Sequence, residues 1–430
     1  MRMLWRRLAT WLLSALIVAG ALPTDDLPAL VADVTSVRQE AEAAITPSDG
    51  EALMPLPPAE DITMGCALNG YTGEKHNIRD GIYKTYWESS MRDGVHGLTI
   101  TAPEGREIGG VLIRWKSWPV AVDVQVQRDG VWSAAASCDA DFVAQYIEIP
   151  AAGEVRIISR DDQGRTKLEI SELSVYTPGE LPGDAQVWRK APEKVDMLLL
   201  ATHPDDEVLW FGGLLPTYAG EQGRDVLVTC AAHNSYYRRL ELCDCLWACG
   251  VTIYPQFLNY FDATNADTSE ILKEWGGREK VKSDLVGLYR RYRPDVVVMQ
   301  AVGGESGHPA HRILAQMGRD AVEQAASAQE CPESAELYGT WDVPKVYVHL
   351  WEENQITMDW HVPLARFGGL DGMEVAAIAF DKHVSQRDKS QYSIHDGGGT
   401  DCSLFGLFHT TVGADEAKND MFEHIPARGE

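Results

Sequence analysis

Short apolar runs beginning at Val195, Asp225, Val251, Asp295 and Lys345 alternate with stretches of helical character, and this alternation narrows what the carboxyl-terminal half can fold into. A run such as Val296-Val297-Val298-Met299 has no polar-out alternation, so both of its faces must be covered. The segments Ser235 to Gly250, Ser269 to Arg293 and Ala310 to Ser327 read as helices that supply the cover. Alternating β and α units predict an α/β fold over 195–430, a doubly wound and mostly parallel sheet. Glu374 to Gln386 adds a late helix, and Leu404 to Ile425 reads as ordered rather than as a tail.

In open α/β sheets, ligands bind at the carboxyl ends of the strands. Two polar clusters fall there. Thr202-His203-Pro204-Asp205-Asp206-Glu207 follows the first apolar run, and Gly303-Gly304-Glu305-Ser306-Gly307-His308-Pro309-Ala310-His311 follows Pro294 to Val302. Successive side chains of an extended segment point to opposite faces, so one aspartate can meet a metal while its neighbour faces the substrate water. With Pro309 in the first turn of a helix, His308 lies at the helix mouth and His311 one turn in, both able to face one pocket. Either cluster alone reads equally as a capping turn or a satisfied histidine; the two together at strand ends point to a metal-assisted hydrolase.

These residues resemble the PIG-L or LmbE-like de-N-acetylase superfamily, marked by a strand ending in (A/T)HPDD(E) and a later HPxH. The resemblance runs over roughly 194–426 and takes in His383-Val384-Ser385-Gln386, placed on a carboxyl-terminal helix. It implies that His203, Asp206 and His311 bind a divalent metal, zinc foremost, although iron, manganese or cobalt suit the same ligands. It implies further that Asp205 is the general base for the attacking water, and that His308 helps to hold the oxyanion and, protonated, serves the departing amine. Arg238 and Glu241 match a family Arg-x-x-Glu, and Asp262 matches a position that touches sugar hydroxyls, so Arg238 and Asp262 are candidate substrate contacts. For Glu241 the alternative is a solvated helix face with i,i+3 pairing. The chain departs from the family at Ala310, where many members have HPDH, so His308 needs another partner such as Glu305. It departs again at Ser306, where some members have a tyrosine. The implied reaction is hydrolysis of the N-acetyl group of an amino sugar in a glycan or glycoconjugate. An amidase for another N-acyl conjugate and a glycan-binding protein without activity are the other readings, the latter kept open by Ala310 and Ser306.

Upstream, residues 62–177 show short alternating runs, among them Gly97 to Thr101, Val111 to Trp115, Val122 to Val126, Tyr146 to Ile149 and Glu154 to Ile158. Turn signals such as Asp129-Gly130 and Pro150 separate them, which predicts an all-β sandwich. Asp80-Gly81 with Thr85-Tyr86-Trp87, Asp129-Gly130-Val131-Trp132 and Leu168 to Leu173 resemble the discoidin or galactose-binding-like jelly-roll family, which includes many carbohydrate-binding modules. Most of those residues suit a core equally well. Trp118, His96 and Tyr71, placed in loops, are candidates to stack on a sugar. Residues 178–194, with Pro and Gly, read as a linker.

At the amino terminus, Arg2, Arg6 and Arg7 precede an apolar stretch from Leu8 to Ala21 with a small-residue cleavage pattern. This is the pattern of a secretory signal peptide over 1–21, with an uncleaved anchor as the alternative, so the expected location is extracytoplasmic. Residues 22–61 read as a tether with one short helix around Ala29 to Ala44. A formal net charge of -26 disfavours nucleic acid and anionic lipid as partners. Of the 8 cysteines, Cys230, Cys243, Cys245 and Cys249 read as buried thiols, and Cys66 with Cys138 is the one pair expected to bridge.

Overall fold

The computed structural model describes residues 56–70, 73–92, 94–263, 266–388 and 392–426. The leader over 1–21, the short helix expected around Ala29 to Ala44, and Tyr71 lie outside the described residues. Among those residues no helix is long and apolar enough to cross a membrane.

Residues 62–176 form two antiparallel sheets. One runs in the order Ala67–Asn69, Val95–Thr101, Glu154–Ser159, Val122–Arg128, Val131–Cys138, with Met91–Arg92 paired to Val95–Thr101. The other runs Trp87–Glu88, Glu169–Tyr176, Ile108–Trp115, Ala144–Ala152. Val122, Val124 and Val126 point inward from the first sheet and meet Val111, Ile113 and Ile147 from the second in one buried cluster. That is the sandwich that alternation foretold. The Asp129-Gly130 turn has both residues at positive φ, 50° and 80°, as a tight hairpin between right-twisted strands requires.

Two expectations fail here. His96 is a buried residue of strand Val95–Thr101 with Nδ1 2.9 Å from the Ser89 hydroxyl, so it is not a loop residue free to meet a sugar. Cys66 and Cys138 are both free thiols. Cys66 precedes one edge strand and Cys138 ends the opposite edge strand of the same sheet. Four strand spacings of about 4.8 Å lie between them, far beyond the reach of a disulfide.

The carboxyl-terminal domain is a 7-stranded sheet. We number its strands β1 (Met197–Ala201), β2 (Val226–His233), β3 (Gln256–Phe261), β4 (Val296–Met299), β5 (Lys345–His349), β6 (Gln355–Thr357) and β7 (Leu404–Thr410). The order is β3-β2-β1-β4-β5-β7-β6, parallel through β5 and antiparallel at β7 and β6. Its helices include α1 (Tyr237–Ala248), α2 (Arg278–Tyr292), α3 (Pro309–Ala326) and α4 (Gly372–Phe380). The single helix expected from Ser269 to Arg293 is two, Thr268–Glu274 and α2, because Gly276 and Gly277 take φ of 89° and 90° between them. The late helix ends at Phe380, so His383 and Ser385 sit in turns beyond it.

Residues 178–194 are packed rather than free. Trp188, Ala185 and Gln186 are buried. The Asp244 carboxylate of α1 accepts hydrogen bonds from Tyr83 of the sandwich and from Gln186, and the Tyr254 hydroxyl accepts from Val143 N–H at 2.9 Å. Val143 and Ala144 join Trp188 and the α/β core in one apolar cluster, and residues 57–430 form one compact unit. Part of the stretch read as a tether belongs to it: Ala59 N–H donates to Glu180 O at 2.7 Å.

Candidate metal centre

β1 and β4 are parallel neighbours, so their carboxyl ends bring the two polar clusters together. Three atoms converge. His203 Nδ1 lies 2.9 Å from His311 Nε2, and Asp206 Oδ2 lies 3.5 Å from the first and 3.2 Å from the second. Ligands about 2.0–2.2 Å from a tetrahedral ion stand about 3.3–3.6 Å apart, close to the two separations from the carboxylate oxygen and wider than that between the nitrogens.

The neighbours decide which atoms carry protons. His311 Nδ1 is 3.1 Å from the Glu305 carbonyl, which can only accept, so the hydrogen sits on Nδ1 and Nε2 keeps its lone pair. His203 Nε2 faces Asp262 Oδ1 at 3.5 Å, and both atoms are buried with no other hydrogen-bond partner. A hydrogen on Nε2 serves that carboxylate and leaves the Nδ1 lone pair facing His311. Two nitrogen lone pairs and a carboxylate oxygen thus meet at one buried point, an arrangement that a cation resolves. The same demand for positive charge appears in the titration. Burial would lower His203, but Asp206 and Asp262 push it up to about 9. Burial would likewise raise Asp206, but His311 and His203 hold it well below the usual carboxylate range. The residues therefore fit a divalent metal such as zinc, with His203, Asp206 and His311 as the ligands.

Asp206 is oriented twice over: Oδ2 accepts from His203 N–H and Oδ1 from Trp210 Nε1–H, each at 2.7 Å. Asp205 has φ of 123°, a conformation rare outside glycine. Its N–H donates to Glu207 Oε2 at 2.8 Å, and Glu207 Oε1 lies 2.6 Å from His383 Nε2. Glu207, His383 and Cys245 form a second cluster of ligand-type groups, all buried, but Glu207 is already engaged with His383 and the Asp205 backbone. This cluster is a brace under the aspartate turn. Burial pushes the Asp205 carboxyl up to about 6, against the opposing pull of Arg238.

His308 caps α3, its Nδ1 accepting from Ala310 N–H at 3.2 Å. A nitrogen that accepts this bond carries no hydrogen, so the ring is neutral and presents Nε2–H. Burial, then His203 and His311, push it down to about 4. Its centroid is 4.9 Å from that of His203 and 4.8 Å from that of His311. The partner expected in Glu305 is committed elsewhere: its Oε1 accepts from Ala301 N–H and lies 2.6 Å from His349 Nδ1. Backbone thus replaces the missing carboxylate at Ala310, and a protonated His308 would forfeit the cap. Ser306 is exposed on a turn with φ of 55°.

Arg238 and Asp262, expected at the substrate, are buried and turned toward the centre. Arg238 Nη2 is 3.2 Å from Asp205 Oδ2 and donates to the Pro204 carbonyl, while Asp262 stands behind His203. Glu241 is no solvated face residue: it accepts from the Ser385 N–H and hydroxyl at 2.9 and 2.6 Å. Sequence reasoning missed His349 and Trp210. A histidine ending the apolar strand β5 was the available signal for the first.

The fold and this centre define a class: a doubly wound α/β domain whose strand ends bring two histidines and a carboxylate together as a candidate metal site. Residues 198–322 match the family model described as PIG-L: GlcNAc-PI de-N-acetylase. The match supports a PIG-L/LmbE-like domain in the carboxyl-terminal region. The chain is similar to the 1D-myo-inositol 2-acetamido-2-deoxy-alpha-D-glucopyranoside deacetylase 1 of Catenulispora acidiphila, 30% identical over 179 residues, 35% of this chain and 54% of the relative. It is 28% identical over 247 residues to the corresponding deacetylase of Tsukamurella paurometabola, 46% of this chain and 81% of that one. The chain spans about half the length of the first of these relatives. Among solved structures it is similar to the N,N'-diacetylchitobiose deacetylase of Pyrococcus horikoshii, 20% identical with a TM-score of 0.35 over 45% of this chain and 71% of that one. A family 32 carbohydrate-binding module from Clostridium perfringens NanJ matches 27% of this chain and 98% of its own length, 15% identical with a TM-score of 0.23.

Proposed function

We propose that this protein is a metal-dependent de-N-acetylase that hydrolyses the N-acetyl group of an amino sugar in a glycan or glycoconjugate, releasing acetate. The observation that carries the reading is the convergence of His203 Nδ1, His311 Nε2 and Asp206 Oδ2 on one buried point beside Asp205. The family match, and relatives whose names state deacetylation of a 2-acetamido sugar, support the substrate class.

His203, Asp206 and His311 would hold a divalent ion, zinc in our reading, which when bound would supply Lewis acidity toward the acyl carbonyl. Asp205 takes a proton from the attacking water as its oxygen bonds to the acyl carbon. Arg238 holds the Asp205 carboxylate in place through their ion pair. A carboxyl pushed up to about 6 is suited to accept a proton and release it again. His308, presenting Nε2–H, donates a hydrogen bond to the carbonyl oxygen as negative charge develops there. Asp205 then returns its proton to the nitrogen as the C–N bond breaks, leaving the free amine and acetate.

We assign the protein to an extracytoplasmic location on the strength of Arg2, Arg6, Arg7 and the apolar stretch that follows. The sandwich, resembling discoidin-like modules, serves in this reading as a second hold on the glycan. The test is acetate release across a panel of N-acetylglucosamine conjugates, with and without added zinc, beside His203→Ala. Zinc-dependent release that disappears in the variant is expected. A metal-loaded protein that releases acetate from none of them would overturn the reading.

A further inference from the structure

A cleft of about 440 Å³ lies between the sandwich and the α/β domain, with Trp118 and Phe142 on one wall and Arg239, Tyr254, Phe257 and Asn259 on the other. Trp118 is 61% exposed, a large apolar surface to leave in water. It is nevertheless fixed. The Arg239 guanidinium lies 4.6 Å from the indole centroid and donates to the Ser117 carbonyl, so one ring face is pinned and the other is left open. Arg239 itself is 3% exposed, and its Nε has no hydrogen-bond partner.

Contacts run from the opposite wall toward the candidate metal centre. Phe257 meets the His233 ring at 6.2 Å, and Asn259 Oδ1 is 3.3 Å from His233 Nε2. The His233 carbonyl accepts from Asp262 N–H, and Asp262 is the carboxylate behind His203. Through His233 and Asp262 the cleft wall is thus linked by contacts to the candidate ligand His203. Arg238, which holds Asp205, is the helix neighbour of Arg239, which holds Trp118.

We propose that this cleft is a distal subsite for a further sugar of an oligosaccharide whose N-acetylated residue occupies the metal centre. The inference rests on the deacetylase reading and narrows its substrate to chains longer than one sugar. A pyranose presents an apolar C–H face and a rim of hydroxyls. The open face of Trp118 matches the first, and the Asn259 amide and the Asp141–Lys190 ion pair, 2.7 Å apart on the rim of the cleft, match the second. A pinned indole loses little freedom on binding, which favours affinity. A composite site of this kind needs both domains, and they pack as one unit.

The experiment compares kcat/KM of the zinc-loaded full chain on the monomer, dimer and tetramer of β-1,4-linked N-acetylglucosamine, for the unaltered protein, Trp118→Ala and Trp118→Phe. The expected result is a preference for the tetramer over the monomer that falls about tenfold in Trp118→Ala, through KM rather than kcat, and returns in part with phenylalanine. A tetramer-to-monomer ratio that is the same in all three proteins would overturn the subsite. Calorimetric binding of the tetramer separates this inference from the catalytic reading. Should no oligomer be turned over, binding that Trp118→Ala weakens supports the cleft, and absence of binding overturns it.

Discussion

A non-glycine residue at φ of 123° costs on the order of 1–3 kcal/mol, and Asp205 is kept there by Glu207, His383 and Arg238. Asp205 meets Arg238 while Asp206 meets His203 and His311, so the adjacent aspartates have different partners. His308 has a different role. Because its Nδ1 is occupied by the Ala310 N–H, it is a neutral donor in the proposed reaction, and His308→Ala is expected to lower kcat by about 10²–10³ with metal content retained. Loss of metal in that variant, measured by atomic emission, would instead make His308 a ligand. At this scale the sequence was most legible where chemistry is local. His203 and Asp206 follow the first apolar strand directly and His311 lies in the first turn of the helix after the second, so position in the chain nearly fixes position in space. Arg238 and Asp262 were placed near the centre for the same reason, but the direction of a side chain depends on what else is buried beside it, which sequence spacing does not record.

Elements far apart in the chain brace the site. The turns after α4 bring His383 to Glu207 and Ser385 to Glu241, contacts between residues 176 and 144 positions apart. His383→Ala leaves Glu207 buried with an unmet charge, so a loss of about 3 kcal/mol and a lower midpoint in calorimetric unfolding are expected; an unchanged midpoint would remove His383 from the brace. Such pairings were not readable in advance, although His383 was noticeable. Elsewhere the limits were of other kinds. Val131–Cys138 carries little inward apolar signal because it is an edge strand with no fully buried side chain. The Cys66 and Cys138 pairing failed because sheet order, unlike strand count, cannot be read from alternation. Gly276-Gly277 could have marked the break in the predicted helix, since paired glycines disfavour helix interiors.

As a whole, the described molecule behaves as one body rather than two beads on a linker. Asp244 holds both Tyr83 and Gln186, and Trp188 lies in a core shared with Val143. A single cooperative unfolding transition is therefore expected in calorimetry, and two well-separated transitions would contradict the shared core. Zinc should raise that transition, because a ligand at 1,000 times its Kd adds about 4 kcal/mol to the folded state, and a chelator should reverse the rise. The two architectures were legible from periodicity of two against alternating strand and helix. Their union was not, because 178–194 has a linker's composition and is packed by side chains from both partners.

In the proposed reaction three side chains hold one divalent metal while Asp205 supplies the base. Metal content and acetate release of Asp205→Asn, measured on the same preparation beside the unaltered protein, test it most directly. Equal metal in both proteins and turnover reduced by about 10²–10⁴ in the variant are expected. A variant that has lost its metal, or that keeps its rate, would contradict it.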